Sequence, residues 1–208
     1  MIRVFIADDH PIFARGLAGF VSAMPDMEVV AIAEDGHRAL QLADETEWDV
    51  AVLDISMPRF NGLEVLRRLV KSFPERKVLL LSQFPESQFG ARALREGAAG
   101  YVSKSDPPEH AVEAIRCVAA GRRMPLSPAS HDDTDRPPES RLPHETLTPR
   151  EYQVFTLVAG GRGVTEVAVE LDVAPSTVSN HLLHIKEKLG AATIGGIVSY
   201  AHRMGLVE

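Results

Sequence analysis

The sequence predicts a doubly wound α/β domain built on a five-stranded parallel sheet, followed by a small all-α domain. Three observations carry this reading. Short apolar runs alternate with helix-period segments over the first 120 residues, a proline-rich stretch interrupts the pattern at 122–143, and no strand pattern follows it.

In chain order, the expected strands are Ile2–Ala7, Val29–Ala33, Val50–Leu53, Val78–Leu81 and Tyr101–Val102. Three of them (VFIA, VAVL, VLLL) are nearly continuous apolar runs, as befits parallel strands covered on both faces. Between them, Ile12, Phe13, Gly16, Leu17, Phe20 and Val21 share one helical stripe, and Leu63, Leu66, Leu69 and Val70 another. Similar patterns run through Ala39–Ala43, Gln88–Glu96 and Glu109–Ala120. Residues 122–143 hold five prolines, with four Arg against four Asp/Glu, and read as a solvated, semi-extended linker. Beyond it, Thr148 suits an N-cap, Pro149 the first helical position, and Glu151 completes a capping box. The expected helices are Pro149–Ala159, Thr165–Leu171, Ser176–Leu189 and about Ile194–Met204. The division is thus 1–121, a linker at 122–142, and 143–208.

Composition narrows the function classes. Apolar residues make up 45% and charged residues 25% of the 208, which excludes fibrous and wholly disordered chains. No apolar run approaches the roughly 18–20 residues that span a bilayer, so no membrane partner is expected. The opening MIRVFIADDHP runs into Asp8 and Asp9, unlike a secretory signal. Cys117 is the single cysteine, which rules out an intramolecular disulfide and suits a reducing cytoplasm; it is expected as a small buried apolar residue. The net charge of -7 gives no global attraction to DNA, so any nucleic-acid binding must be local.

In a parallel α/β sheet, ligands sit beyond the carboxyl ends of the strands. Asp8 and Asp9 follow the first expected strand, Asp54 the third, Ser82 the fourth, and Lys104 the fifth. These groups converge on one edge although they lie up to 96 positions apart. Three converging carboxylates repel one another unless a cation is present, and oxygen ligands with room for water suit Mg²⁺. Lys104 and Ser82 would then clamp a phosphoryl group. Pro58 and Gly62 fit a tight loop after Asp54.

The segments DDH at 8–10, LDISMPRFNG at 53–62, LS at 81–82 and GYVSK at 100–104 resemble the receiver domain of two-component response regulators, a flavodoxin-like fold. The resemblance covers about residues 1–121. It implies that Asp54 is the phospho-acceptor, served by a sensor histidine kinase. It further implies that Asp9, Asp54, Asp8 (through water) and the Ser56 carbonyl hold Mg²⁺. Ser82 and Lys104 would contact phosphoryl oxygens, and Tyr101 would move with Ser82. Many receivers carry Lys-Pro where this chain has Lys104-Ser105. An Asp-nucleophile phosphatase would carry a second acid two residues after Asp54, where Ser56 stands, so no multiple-turnover enzyme is expected.

The segments LTPREYQVFTLVAGG at 147–161 and VTEVAVELDVAPSTVSNHLLHIKEKLG at 164–190 resemble the LuxR-type helix-turn-helix of NarL/FixJ response regulators. Val167, Ala168 and Leu171 face inward on the first helix of that motif, and Val178, Leu182, Ile185 and Leu189 on the second. The opposite face could enter a major groove, with Ser176, Thr177, Ser179, Asn180, His184, Lys186 and Lys188 as candidate contacts to promoter DNA. Asp172 stands where the turn usually has Gly. Residues 143–208 hold five Lys/Arg against seven acids, a net charge of -2. Because phosphate contacts dominate DNA affinity, binding is expected to be weak from a monomer and restored by homodimerisation. The expected function is phosphorylation-dependent transcription regulation, with phosphorylation promoting receiver pairing or releasing the helical domain. The alternative is an output domain that acts through protein–protein contacts.

Overall fold

The computed structural model describes residues 1–57, 62–84, 86–124 and 142–207. The chain divides into two compact units, Met1–Arg136 and Pro137–Glu208. Most of the expected linker, and Pro58 with it, lies outside the described residues.

The first unit alternates strands β1 (Ile2–Ala7), β2 (Met27–Ala33), β3 (Val50–Asp54), β4 (Lys77–Ser82) and β5 (Gly100–Ser103) with helices α1 (Pro11–Ser22), α2 (Gly36–Glu45), α3 (Gly62–Ser72), α4 (Glu86–Arg95) and α5 (Pro108–Ala119). All pairings are parallel, and the strand order is β2-β1-β3-β4-β5. The order reverses between β1 and β3, so a crevice opens at their carboxyl ends. Side chains alternate across the sheet. Val4, Ile6, Val50, Val52, Leu79 and Leu81 pack with Ala14, Leu17 and Val21 of α1 and Ile115 and Val118 of α5 in one core cluster. On the other side, Trp48 lies 6.2 Å from the Phe5 ring and 5.5 Å from that of Phe73. The doubly wound five-stranded architecture read from the sequence is the one found.

Two packing expectations fail. The stripe on α1 is wider than the face it buries: Ala14, Leu17 and Val21 are buried, but Ile12 is 90% and Phe20 44% exposed, and Gly16 is exposed as well. The buried line packs on the sheet beside α5, and the flank left over borders a groove of about 310 Å³ shared with Lys104, Pro107 and Pro108. Cys117 is only partly buried, because it stands on the edge of α5 beside the Arg116 that pairs with Asp26 at 2.8 Å.

The second unit opens with a 3-10 turn, Pro143–Thr146, and continues as α6 (Pro149–Ala159), α7 (Val164–Glu170), α8 (Pro175–Leu189) and α9 (Ile194–Arg203). The expected cap is present: Thr148 Oγ1 accepts the Glu151 N–H at 3.3 Å, and Glu151 accepts the Thr148 N–H at 2.7 Å. Val154, Phe155, Val167, Val178, Leu182, Ile185 and Ile197 fill the core. No described helix is long and apolar enough to cross a membrane.

Candidate phosphoryl-transfer site and nucleic-acid interface

Strand ends bring the acidic site together. Asp8 is fixed just beyond β1 by its N–H to the Ala33 carbonyl, 3.0 Å, while Asp54 closes β3. The Lys104 N–H donates to the Ser82 carbonyl at 2.7 Å, which carries the β4–β5 pairing one residue past the strand. The Lys104 ammonium then reaches 2.7 Å from Asp8 Oδ2 and 2.9 Å from Asp54 Oδ2. It also lies 4.8 Å from the Phe13 ring centre. Asp8 and Asp54 are only 2% and 1% exposed. Asp9 is more open, and Ser56 is buried with its N–H 3.2 Å from Asp54 Oδ1.

One lysine serves two buried acids. Burial pushes the Asp54 carboxyl up to about 6, Lys104 pulls it back, and Asp8 and Asp9 push it up again. Donor chemistry fits a hard divalent cation. Ligand atoms of Asp8, Asp9, His10 and Asp54 lie within 4.8 Å of one another. Asp8 Oδ2, Asp9 Oδ1 and Asp54 Oδ2 are buried oxygens whose neighbours are the Lys104 ammonium and the His10 ring, and Ser56 Oγ is buried with no hydrogen-bond partner among the described residues. Such a cluster is compatible with Mg²⁺. Gly62 is required by close approach: a Cβ there would stand 2.1 Å from the Asp54 carbonyl oxygen.

Ser82 and Tyr101 meet at a residue that sequence reasoning passed over. The Phe84 N–H donates to Ser82 Oγ at 3.1 Å, and the Tyr101 hydroxyl donates to the Phe84 carbonyl at 2.9 Å. Both Ser82 and Tyr101 are buried. His10 was also passed over, although it adjoins the acid pair. Its Nδ1 lies 3.0 Å from Asp9, 3.3 Å from Asp8 and 3.8 Å from Asp54.

In the helical unit, α7 and α8 are joined through Asp172, whose φ of 48° is left-handed. Ser176, Ser179, Asn180, Leu183, His184 and Glu187 are exposed along α8, with Thr177 and Lys186 half-buried. Ser179 Oγ turns back to the Pro175 carbonyl at 3.0 Å. Lys188 is exposed but held: its ammonium lies 2.6 Å from Glu151 Oε2 and 3.4 Å from the Thr146 carbonyl. His184 Nδ1 lies 3.8 Å from the same carboxylate. Burial pushes the neighbouring His181 imidazole below its ordinary value, and the Arg150 charge adds to this.

A parallel sheet with an acidic crevice and an opposing lysine, followed by a helix-turn-helix unit, defines a two-component response regulator with a LuxR-type DNA-binding domain. The chain belongs to that family, in its NarL/FixJ branch: residues 4–116 match the response regulator receiver domain, and residues 145–201 the bacterial regulatory proteins of the luxR family. Among its relatives is the oxygen regulatory protein NreC of Staphylococcus epidermidis, 35% identical over all of both chains. NreC of Staphylococcus aureus is 36% identical, also over all of both chains. A LuxR-family response regulator from Aurantimonas superposes with a TM-score of 0.58 at 34% identity, over 64% of this chain and 94% of its own. RcsB of Salmonella enterica serovar Typhimurium, bound to the promoter rprA with a phosphomimetic, shares the fold: its TM-score is 0.63 at 24% identity, over 96% and 98% of the two chains.

Proposed function

We propose that Asp54 accepts a phosphoryl group from a sensor histidine kinase and that its phosphorylation switches binding of promoter DNA. The observation that carries this is the buried Asp54–Lys104–Asp8 arrangement, in which one ammonium spans two carboxylates. In the transfer, an Asp54 carboxylate oxygen forms a bond to phosphorus as the phosphorus–nitrogen bond of the donor phosphohistidine breaks, and the leaving imidazole takes up a proton. Asp9, Asp54 and the Ser56 carbonyl, with Asp8 through water, would hold Mg²⁺, which would supply positive charge between carboxylate and phosphate. Lys104 lies beside the acceptor and can follow the new phosphoryl oxygens. Ser82 Oγ receives the Phe84 N–H and keeps its own hydrogen to donate to one of them. Drawing Ser82 inward pulls on Phe84 and so reaches Tyr101, the two-state element that phosphorylation biases. Receiver pairing or release of the helical domain follows, and a homodimer makes the second half-site contact intramolecular. The proposed role is a cytoplasmic one, with stoichiometric phosphorylation instead of multiple turnover.

On the output side, Ser176, Thr177, Asn180 and His184 would face base edges, with Lys186 and Lys188 on the flanks toward phosphates and Ser179 toward the backbone. A second reading, output through protein–protein contact, draws on the net charge of -2 over 143–208 and on Glu151 holding Lys188.

Acid-labile phosphate incorporation from a small phosphodonor tests the acceptor: Asp54→Asn should abolish it, and persistent labelling would refute the assignment. Fluorescence polarisation at two salt concentrations, with and without phosphorylation, tests the output. Salt-dependent binding that tightens on phosphorylation is expected; absent or salt-independent binding in both states selects the protein-contact reading. Sedimentation with a phosphate analogue and Mg²⁺ should shift toward dimer if pairing is the switch.

A further inference from the structure

We infer that Leu183 is a specificity-determining residue of the output domain: it reads the 5-methyl group of a thymine in the major groove, one base step from an adenine held by Asn180. The inference rests on the DNA-reading role proposed above for α8 and names a base that this chain selects. Leu183 is 52% exposed on that helix. Ser176, Asn180, Leu183 and Glu187 recur at i, i+4, i+7 and i+11 and are all exposed, opposite the buried line of Val178, Leu182, Ile185 and Leu189.

The surroundings of Leu183 decide what it meets. Its neighbours on the helix surface are Ser179, Asn180 and Glu187, and His184 follows it; all four are polar and exposed. A helix that docks on a protein presents several apolar anchors at this spacing, and here Leu183 stands alone among polar groups. A single apolar group among hydrogen-bonding side chains matches instead the major-groove edge of DNA, where the thymine methyl lies beside donors and acceptors. Asn180 supplies the amide that suits adenine N6 and N7 in bidentate fashion. Three residues along a helix advance about 4.5 Å. Base pairs are roughly 3.4 Å apart, so Asn180 and Leu183 address adjacent steps.

The rest of the face leaves discrimination to this pair. The Ser179 hydroxyl donates to the Pro175 carbonyl at 3.0 Å, which uses its one hydrogen. Lys188 is held by Glu151 at 2.6 Å, and residues 143–208 carry five Lys/Arg against seven acids. Leucine adds nothing to phosphate attraction, which is blind to sequence. What it contributes comes from burying apolar surface against a base.

The test uses the full chain, phosphorylated by a small phosphodonor with Mg²⁺, and a duplex selected with it from a randomised pool. Each thymidine of that duplex is replaced in turn by deoxyuridine, which lacks only the 5-methyl group. At one position per half-site the replacement should weaken wild type about fourfold, the worth of one buried methyl. Leu183→Ala should bind the thymine duplex about fourfold more weakly or worse, and be indifferent to the replacement there. Leu183→Lys should ignore it too, while its log–log salt slope steepens by about 0.9, one phosphate contact. A methyl effect absent at every position, or equal in wild type and Leu183→Ala, overturns the inference and leaves DNA binding standing. Unchanged affinity in Leu183→Ala overturns it as well and assigns this face to a protein partner. Wild type that binds no duplex of the pool, phosphorylated or not, overturns the DNA-reading role along with it.

Discussion

Asp54 in the receiver and Glu151 in the output domain are both buried carboxylates touching a lysine, at 2.9 and 2.6 Å. Yet burial leaves Asp54 pushed up to about 6, while Glu151 sits below its ordinary value. Burial pushes Glu151 up as well, but Lys188 and the Thr148 N–H together outweigh it. The difference is in how the partners are shared. Lys104 divides its charge between Asp54 and Asp8, and Asp9 adds a further repulsion. Lys188 serves one carboxylate, which a helix cap also satisfies. A desolvated charge is offset only when its hydrogen-bond partners are complete, so one domain carries an anion poised for new partners and the other a finished joint.

The sharpest way to break this contrast is Glu151→Ala. It removes the cap acceptor and leaves Lys188 unpaired, so the output domain should lose about 2–4 kcal/mol, less than a fully buried pair because a third of the Lys188 side chain is open. Thermal unfolding of the full chain reads this as earlier loss of the output-domain transition; a shift below about 0.5 kcal/mol would make the joint an ordinary surface pair. On the receiver side, Gly62→Ala drives a Cβ to 2.1 Å from the Asp54 carbonyl oxygen and 2.7 Å from Ile55 Cα. Backbone must move, at about 1–3 kcal/mol, and since the moved residue is the proposed acceptor, acyl-phosphate yield should fall together with stability.

Asp54→Asn carries the opposite sign. Without a divalent ion, removing the strained charge should stabilise the receiver by about 1–2 kcal/mol at neutral pH. The folded Asp54 value, about 6, lies above the ordinary 3.8, so between those values the folded chain holds more protons than the unfolded one. Wild-type stability from this group therefore falls as pH rises from about 4 to 6, and that slope should vanish in Asp54→Asn. Glu151 works the other way: its contribution is complete above its ordinary 4.5 and is lost as pH falls through its lower folded value. Urea unfolding between pH 3.5 and 7.5, followed separately for each domain, checks both slopes. Parallel slopes would remove the distinction between the two carboxylates.

The same contrast explains what the sequence could show. Strand-end placement of Asp8, Asp54, Ser82 and Lys104 was legible because apolar runs fix where parallel strands stop, and the capping box at Thr148 was legible because it is a local pattern. Features set by long-range neighbours were not. Ile12 and Phe20 share a helical stripe with Leu17, but which flank meets the sheet depends on α5, some 90 residues away. That Glu151, 37 positions earlier, holds the Lys188 ammonium is likewise not visible in any local pattern. The link from Ser82 through Phe84 to Tyr101 spans two strand ends and runs through the main chain of Phe84, which no side-chain pattern reveals. His10 adjoins the acids in sequence, but the direction of its ring is a matter of the β1–α1 turn.

The smallest effect belongs to the turn before the proposed reading helix. In the receiver, Gly62 is needed because a side chain would strike backbone; in the output domain, Asp172 holds a left-handed φ of 48° where space is not the issue. Left-handed backbone costs an L-residue about 1–2 kcal/mol, less for Asp, whose short polar side chain can hydrogen-bond locally. Asp172→Gly relieves that cost but frees the unfolded chain, which takes back about 0.4–1 kcal/mol. The two nearly cancel, so the net change should stay within about 0.5 kcal/mol, whereas Asp172→Val, β-branched, should lose more than 1 kcal/mol. Charge is the confounding variable beside the helix proposed to read DNA. Asp172→Asn, which removes the charge and keeps a residue tolerant of this conformation, separates it: stability should hardly move, while polarisation at low salt reports any gain in DNA affinity from the lost negative charge alone.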